Sequence, residues 1–260
     1  MKIPMFQVDA FTDRVFRGNP AAVCVLDEWP EDRILQAVAA ENNLSETAYL
    51  KEREGGYDLR WFTPRTEIDL AGHPTLAAAK VVFDFLKPGW EKVCFDSPGG
   101  PLTVTLEEGG FLALDFPSRP GRPCDPPRNL IRGLGAEPEE TFLARDHLAV
   151  FETEEEVRAI NPDPAALLKL DSMGVIATAP GEDRDFVSRF FAPKVGILED
   201  PVTGSAHCTL IPYWSARLGK KDLTARQVSE RTGELRCRDE GERVVMAGQA
   251  VLYLEGSIHI

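Results

Sequence analysis

The feature that most constrains the fold is a stretch of sequence that occurs twice. Its first copy reads RWFTPR at 60–65 and DLAGHPT at 69–75, and runs into an apolar series. Its second copy reads RFFAPK at 189–194 and DPVTGSA at 200–206, and again runs into an apolar series. Each copy has the order of a strand, a proline, a basic residue, an acidic loop, and a glycine with a polar residue that opens a helix. The repeat predicts two related domains that face each other across one site.

Composition limits the possible partners. The 29 basic and 42 acidic residues give a formal charge of −13, which disfavours nucleic acid and anionic membrane surfaces. The five cysteines have no C-x-x-C spacing and are odd in number, which favours reduced thiols in the cytosol. The sequence shows no secretory signal and no apolar run near the roughly 18 residues of a membrane span. A soluble, cytoplasmic protein is expected.

Hydrophobic patterning indicates the architecture. A turn is expected at Gly18-Asn19-Pro20, before a strand over 21–26, and residues 30–43 have the spacing of an amphipathic outer helix. Residues 153–170 are expected to be helical, with an interruption at Asn161-Pro162. By contrast, 73–86 and 205–218 are apolar on nearly all sides, which predicts two buried helices, the second closed by Gly219. Strands flank both helices, so the expected class is α+β, with a curved, mostly antiparallel sheet around a central helix in each domain. The proline-rich segment 117–127 is the expected linker. It separates domains 1–117 and 118–260, and the last strand is a candidate to pack back on the first domain.

The two helix starts suggest how a ligand is held. His73 is the expected cap of the first helix, with Pro74 at its first position, and Ser205 is the expected cap of the second. Unpaired backbone N–H groups and a partial positive charge at a helix start suit a carboxylate or an oxyanion. The backbone at Gly72 and Gly204 belongs to the same two starts. A lone start of this kind is more often an ordinary capped helix, but the duplication in equivalent positions favours ligand binding. A small anionic metabolite is therefore the expected partner.

Three side chains are candidates for chemistry. Glu46 lies at a loop-to-strand junction, where it is either a general acid/base or a solvated loop carboxylate. His73 is suited by type, because imidazole titrates near neutrality. Asp200 precedes a proline and is biased to an extended conformation, so it orients a substrate amine or hydroxyl, or merely caps a turn.

Other chemistries find less support. His207 and Cys208 are expected to be buried helix residues, and a two-thiol racemase is disfavoured because positions 73 and 205 are His and Ser. None of the G-x-G-x-x-G, P-loop, H-E-x-x-H or G-x-S-x-G patterns is present. No cofactor and no metal is expected.

Four motifs together resemble the phenazine-biosynthesis PhzF-like isomerase family. They are FRGNPA at 16–21, NLSETA at 43–48, DLAGHPT at 69–75 and EDPVTGSA at 199–206. The resemblance implies a diaminopimelate-epimerase-like fold, an active site between the domains, a homodimer and cofactor-free proton transfer. In the phenazine enzyme of that family, a glutamate moves a proton between carbons of a dihydro-hydroxyanthranilate.

The same resemblance assigns roles to residues of this chain. Glu46 matches the proton-moving glutamate, and the residues that match its helpers are His73, Asp200 and Ser205. The expected substrate-binding residues are Gly72, Gly204, Ser45 and Asn19.

Three functions remain open at this point. The leading hypothesis is an isomerase that moves a proton between carbons of a small carboxylate-bearing metabolite. The second is an amino-acid epimerase or racemase that uses Glu46 and His73 on opposite faces of the substrate. The third is a metabolite-binding protein without catalysis, which has no need of a proton shuttle.

Overall fold

The computed structural model describes residues 1–260 and has the expected α+β class. The helices are α1 (Asp32–Asn42), α2 (His73–Val81), α3 (Arg128–Leu134), α4 (Glu154–Ala159), α5 (Pro164–Leu167) and α6 (Gly204–Leu218). The strands of the first half are β1 (Lys2–Ala10), β2 (Asn19–Leu26), β3 (Glu46–Arg53), β4 (Gly56–Phe62), β5 (Glu67–Ile68), β6 (Lys92–Asp96), β7 (Leu102–Glu107) and β8 (Phe111–Pro117). The strands of the second half are β9 (Arg122–Pro123), β10 (Glu140–Leu143), β11 (His147–Val150), β12 (Val175–Pro180), β13 (Phe186–Ala192), β14 (Ile197–Asp200), β15 (Asp222–Gln227), β16 (Gly233–Asp239), β17 (Arg243–Gly248) and β18 (Ala250–His259).

The chain divides into two compact units. Unit 1 comprises Met1–Asp115 together with Ala247–Ile260, and unit 2 comprises Phe116–Met246. None of the helices is both long enough and apolar enough to span a membrane.

Unit 1 is built on a curved, mostly antiparallel sheet. Neighbouring strands follow the order β18, β1, β2, β3, β4, β6, β7 and β8, with β5 added beside β4. Only the β2–β3 and β4–β6 pairs are parallel, and each needs a helix as crossover, α1 for the first and α2 for the second. α2 packs against β1, β2 and β3. Its buried residues cover all of its sides except at Lys80, as the apolar pattern predicts.

Unit 2 repeats this plan. Its strands follow the order β9, β10, β11, β12, β13, β15 and β16, with β14 added beside β13. The β11–β12 and β13–β15 pairs are the parallel ones, which matches the positions of the parallel pairs in unit 1. α4 and α5 lie in the first crossover and α6 in the second, so the expected helix over 153–170 is present and interrupted near Asn161-Pro162. The indole of Trp214 in α6 donates to Thr178 of β12 at 3.0 Å, which fixes α6 on its sheet.

Strand register gives the residue-by-residue equivalence of the two copies. Phe62 of β4 pairs with Thr47 of β3, and Phe191 of β13 pairs with Val175 of β12. Glu46, directly before Thr47, therefore has Gly174 as its counterpart in unit 2. On the other side of these strands, Trp61 pairs with Ile68 and Phe190 with Asp200, so Ile68 and Asp200 are also counterparts.

An arginine fork stabilises the same corner of each unit. In unit 1, Arg60 donates Nε and Nη2 to the two carboxylate oxygens of Glu67 at 2.6 and 2.8 Å. In unit 2, Arg189 makes the same pair of bonds to Glu199 at 2.7 and 2.8 Å. Each guanidinium also lies over the ring of the phenylalanine two residues later, at 5.1 and 4.9 Å. These charge-assisted pairs anchor the loop that leads into α2 and α6 respectively.

The structure corrects the expected helix starts. Gly72 is the N-cap of α2, so the prediction of His73 as the cap is wrong by one residue. Thr203 is the N-cap of α6, so Ser205, the predicted cap, lies inside the helix. Neither N-cap makes a side-chain bond to its helix. The Thr203 hydroxyl instead donates to Asp200, three residues earlier, at 2.5 Å.

Two other expectations are corrected. Asn19 and Pro20 begin β2, although the sequence placed them in a turn. The segment 117–127 is not a free linker, because Arg122–Pro123 form β9 on β10 and the Arg119 amide donates to the Cys208 carbonyl at 2.8 Å. Backbone groups of that segment thus find partners within unit 2. Gly219 ends α6 in the left-handed conformation, as predicted.

Candidate functional site

Glu46 is a buried carboxylate at a strand start. It is the first residue of β3 and pairs with Ala21 of β2, and its side chain is only 12% exposed. The parallel β2–β3 ladder fixes its backbone, so the side chain projects from a rigid element. Its Oε2 atom is fully buried, whereas Oε1 makes no hydrogen bond and is not fully buried. Glu46 is therefore not a solvated loop carboxylate.

His73 lies against this carboxylate. It is the first residue of α2, its side chain is 5% exposed, and its Nε2 is 3.0 Å from Glu46 Oε2. The two groups are close but are not aligned as a linear hydrogen bond. Catalytic contacts in a ligand-free site often have this form and tighten when substrate binds.

Asn19 determines where the imidazole carries its proton. The side-chain amide Nδ2 of Asn19 donates to Nδ1 of His73 at 3.1 Å. Since Nδ1 accepts a hydrogen bond, the neutral ring carries its proton on Nε2, the nitrogen that faces Glu46. We refer to these three residues, Asn19, Glu46 and His73, as the Glu46 cluster.

The loop before β2 positions Asn19. A Cβ atom at Gly18 would lie 2.1 Å from the Ala10 carbonyl oxygen, and Gly18 has a positive φ, so only glycine fits there. The buried carboxylate of Asp9 accepts from the Phe16 amide at 2.8 Å and stabilises that residue's left-handed backbone. The FRGNP motif thus positions Asn19 beside His73.

Two further expected residues of unit 1 lie next to this cluster in the chain. Gly72 is buried as the N-cap before His73, and Ser45 is partly exposed directly before Glu46. Their expected contacts with substrate stay predictions, as does that of Asn19, which the structure shows fully buried against His73.

In unit 2, Asp200 lies in a buried polar network. Asp200 ends β14, is 8% exposed, and accepts from the Thr203 hydroxyl at 2.5 Å. Gln227, which is fully buried, donates to the Asp200 carbonyl at 2.6 Å and accepts from the Thr203 amide at 2.8 Å. We call Asp200, Thr203 and Gln227 the Asp200 cluster. Because the Gln227 side chain bonds the backbone at both ends of the 200–203 turn, Asp200 is held rigidly directly before α6.

Ser205 and Gly204 lie in the first turn of α6. Gly204 is buried and Ser205 is partly exposed. The Ser205 hydroxyl accepts from Nη2 of Arg145 at 2.9 Å. Because no side chain caps this helix, its first N–H groups remain available to an anion.

His207 and Cys208 are core residues, as expected. His207 is fully buried, and its Nδ1 donates to the Thr203 carbonyl at 2.9 Å. Burial lowers the pKa of His207 to about 4, so its ring is neutral at physiological pH. Burial raises the pKa of the Cys208 thiol to about 11, which keeps it protonated and unsuited to thiolate chemistry.

Two residues of these networks were missed by sequence reasoning. Gln227 contacts Thr203 from 24 residues away, and Arg145 contacts Ser205 from 60 residues away. Neither belongs to a motif, and only the fold brings them to α6. No group of three or more His, Cys, Asp or Glu side chains converges as metal ligands would.

Comparison with known proteins places the chain in a family. The model of the phenazine biosynthesis-like proteins (PhzC-PhzF) matches residues 8–256. An uncharacterized isomerase of Pseudomonas aeruginosa is 49% identical over 260 residues, which cover 100% of both chains. A PhzF-family crystal structure from Enterococcus faecalis superposes with a TM-score of 0.97 at 46% identity, again over 100% of both chains. The chain belongs to the phenazine biosynthesis-like (PhzC-PhzF) family.

A more distant structure bears on the fold alone. A predicted epimerase from Pseudomonas aeruginosa superposes with a TM-score of 0.79 at 20% identity, covering 98% of this chain and 99% of the other. Together with the PhzF-family match, this confirms the expected diaminopimelate-epimerase-like fold. The isomerase relative supports an enzyme of the isomerase type.

Proposed function

We propose that this chain is a cofactor-independent isomerase that moves a proton between two carbons of a small carboxylate-bearing metabolite. The observation that carries this proposal is the Glu46 cluster, in which a buried carboxylate lies 3.0 Å from the protonated nitrogen of a neutral imidazole. A metabolite-binding protein has no need of a buried carboxylate with an ordered proton donor. Burial of an ionisable group of this kind is characteristic of acid/base sites.

The step is a proton transfer in two halves. Oε1 of Glu46, the carboxylate oxygen that is not fully buried, takes a proton from an activated carbon, and the C–H electron pair remains on the substrate as an enolate. The protonated Glu46, whose O–H exchanges with solvent because Oε1 is not fully buried, then gives a proton to a second carbon of that enolate. The carboxylate is regenerated, and no electron leaves the substrate. The proximity of one carboxylate oxygen to both carbons favours the two transfers.

His73 acts on the other carboxylate oxygen. Its Nε2 lies 3.0 Å from Oε2, and the bond from Asn19 to Nδ1 leaves the ring proton on Nε2. We assign to this N–H the role of bonding Oε2 when substrate tightens the contact. Because Oε2 already faces a proton, a substrate proton is directed to Oε1. His73 therefore orients and tunes the base and does not itself take the proton.

The residues of unit 2 are assigned to substrate binding. We assign the Ser205 hydroxyl and the Gly204 backbone to the carboxylate or the developing enolate, and Asp200 to a substrate amine or hydroxyl. Support comes from the uncapped start of α6 and from the rigid Asp200 cluster before it. Preorganised donors of this kind stabilise developing negative charge without reorganisation. The backbone at Gly72, the uncapped start of α2, is assigned the same role.

The separation of Glu46 and His73 argues against the epimerase alternative. Two bases on opposite faces of one carbon must each reach it over about 3 Å, which requires a separation of roughly 6 Å. Nε2 and Oε2 are 3.0 Å apart, which leaves no room for a carbon between them. The distance favours one base that serves one face.

The test is solvent deuterium exchange. A panel of cyclic and acyclic amino and hydroxy acids is incubated in D₂O with the wild type, with Glu46→Gln and with Glu154→Gln, and label is located by NMR. Glu154 is a matched control because it is 6% exposed and paired with Arg158 in α4. The proposal expects that one acid of the panel loses a proton at one carbon and gains deuterium at another. This should occur with the wild type and with Glu154→Gln, but not with Glu46→Gln. Label at the same carbon that loses its proton would favour an epimerase, and turnover by Glu46→Gln would remove the assigned base.

A further inference from the structure

Arg145 is the cation closest in the hydrogen-bond network to the start of α6. It lies in the turn between β10 and β11, with a side chain that is 37% exposed. Its Nη2 donates both to Ser205 Oγ at 2.9 Å and to Asp146 Oδ2 at 2.9 Å, and its Nε donates to the same oxygen of Asp146 at 3.0 Å. We propose that Arg145 is a substrate-binding residue that makes the site selective for a carboxylate, an inference that rests on the proposed function.

The guanidinium of Arg145 donates only some of its N–H groups to other residues of the protein. Arg189, in the same unit, is 11% exposed and donates Nε and Nη2 to the two carboxylate oxygens of Glu199. Arg145 instead directs Nε and Nη2 to one oxygen of Asp146, and its Nη1 makes no hydrogen bond. Two N–H donors therefore remain available on the partly exposed edge of the guanidinium.

Asp146 serves to orient this arginine. Its side chain is 3% exposed, and its other oxygen, Oδ1, is buried without a hydrogen bond. A carboxylate that is buried with a single charged partner is costly for stability, and removing that partner would cost more. The side chain of Asp146 thus has Arg145 as its only partner and fixes the direction of the guanidinium toward Ser205.

Ser205 extends the same set of donors. Because its oxygen accepts from Arg145, its own O–H is free to donate to a ligand. The uncapped N–H groups of α6 add further donors at the same turn. Arg145 is also one of three arginines, with Arg119 and Arg243, that lower the pKa of Cys208 against the effect of its burial. In a chain with a formal charge of −13, these arginines place positive charge near the first turns of α6, beside the carboxylates of Asp146 and Asp200.

The donor set defines the class of ligand. A planar guanidinium edge beside a hydroxyl and backbone amides matches a carboxylate, which accepts from several donors at once. A carboxamide has one acceptor oxygen and carries no charge, so it gains much less from Arg145. The site should therefore distinguish an acid from its amide.

The experiment measures binding without catalysis. Benzoate, which carries no proton that the proposed reaction would move, is titrated into ¹⁵N-labelled protein while backbone amides are followed by NMR. We expect the Gly204, Ser205 and Ala206 amides to shift with benzoate and not with benzamide. Arg145→Gln should weaken benzoate binding about tenfold or more, and Arg145→Lys, which keeps the charge without the planar edge, should weaken it less.

Arg217→Gln is the matched control. Arg217 lies in the same unit, is 41% exposed and pairs with Glu140, so its loss removes the same charge away from the start of α6. It should bind benzoate as the wild type does. Benzoate affinity in Arg145→Gln within fivefold of the wild type, or no shift of the α6 amides in the wild type, would overturn the inference.

Glu46→Gln separates this inference from the proposed function. That variant should bind benzoate like the wild type, whether or not deuterium exchange is found. Failure of the exchange panel would refute the isomerase, whereas loss of Arg145-dependent benzoate binding would refute only the carboxylate site.

Discussion

The starts of α2 and α6 are equivalent positions that carry different chemistry. Both follow an arginine–glutamate fork, and both helices begin without a side-chain cap. At α2, an imidazole lies against a buried carboxylate from β3. At α6, a hydroxyl lies against a guanidinium, and the counterpart of Glu46 is Gly174. A Cβ at Gly174 would lie 2.4 Å from the Phe190 ring, so no carboxylate could replace it.

This difference assigns one task to each copy. The α2 start has an ordered proton donor and a buried base, which suits proton transfer. The α6 start has cationic and neutral donors and no base, which suits the binding of an anion. The repeated backbone therefore supplies the scaffold twice, and the side chains at the two helix starts distinguish the copies.

The largest effect on this comparison is expected at His73. His73→Leu removes the Nε2–H that faces Glu46, and deuterium exchange should fall by about 10²-fold to 10³-fold. The control is His147→Leu, since His147 is equally buried and bonds Ser172 through Nδ1 at 2.7 Å in unit 2. Equal losses in both variants would show that the two copies do not divide the chemistry as proposed.

The next effect is a pH dependence of stability that belongs to α6 alone. His207 and Thr75 are counterparts that bond the same carbonyl, at Thr203 and Ala71. Burial lowers the pKa of His207 from 6.5 to about 4, so the unfolded chain binds the proton first as the pH falls. The free energy of unfolding is therefore unaffected by the titration of His207 above pH 6.5 and falls as the pH drops toward 4, by a total on the order of 3 kcal/mol.

His207→Thr tests that pH effect, because threonine reproduces the bond of Thr75 without a titrating ring. Urea unfolding at pH 7 and pH 4.5 should show a smaller loss of unfolding free energy in the variant than in the wild type. An identical loss in both proteins would mean that His207 does not titrate as its burial implies.

A smaller effect is expected at Asn19. Asn19→Asp replaces the donor to His73 Nδ1 with an acceptor, so the ring should carry a proton on Nδ1. Exchange should fall about tenfold, since a misplaced hydrogen bond typically costs 1–3 kcal/mol. The ¹⁵N shifts of the His73 ring report the protonated nitrogen. If Asn19→Asp carries the ring proton on Nδ1 and still exchanges deuterium at the wild-type rate, the tautomer of His73 does not matter for turnover.

The smallest effect is expected at Ser205. Ser205→Ala removes one donor at the α6 start but leaves Arg145 and the backbone amides, so KM should rise by about fivefold with kcat little changed. Steady-state kinetics on the first substrate found will show this split. A fall in kcat with constant KM would place Ser205 in the proton-transfer step instead.

Sequence predicted the parts of this molecule that depend on local pattern. The two apolar helices, the interrupted crossover at 153–170 and the strand that was expected directly after Glu46 follow from periodicity, proline and glycine. The short elements β5, β9 and β14 were missed because two to four residues carry no periodicity. α3 was also missed, since it directly follows the proline-rich segment.

The site was less predictable than the fold. The motifs identified Glu46, His73, Asp200 and Ser205, but not what surrounds them. Asn19 reaches His73 from 54 residues away, and Gln227, 24 residues away, holds the turn that makes Thr203 and not Ser205 the cap of α6. Contacts of this kind depend on strand register, which a single sequence does not specify. The homodimer that the family resemblance implies stays a prediction.

The most direct test of the central claim is the single-turnover rate of Glu46→Gln, measured together with its Kd for the same substrate. Because the proposal has Glu46 move the proton and assigns anion binding to unit 2, the rate should fall by about 10²-fold to 10⁴-fold while Kd stays within about twofold. A variant that turns over at the wild-type rate, or that loses binding and rate together, would contradict the division of labour between the two helix starts.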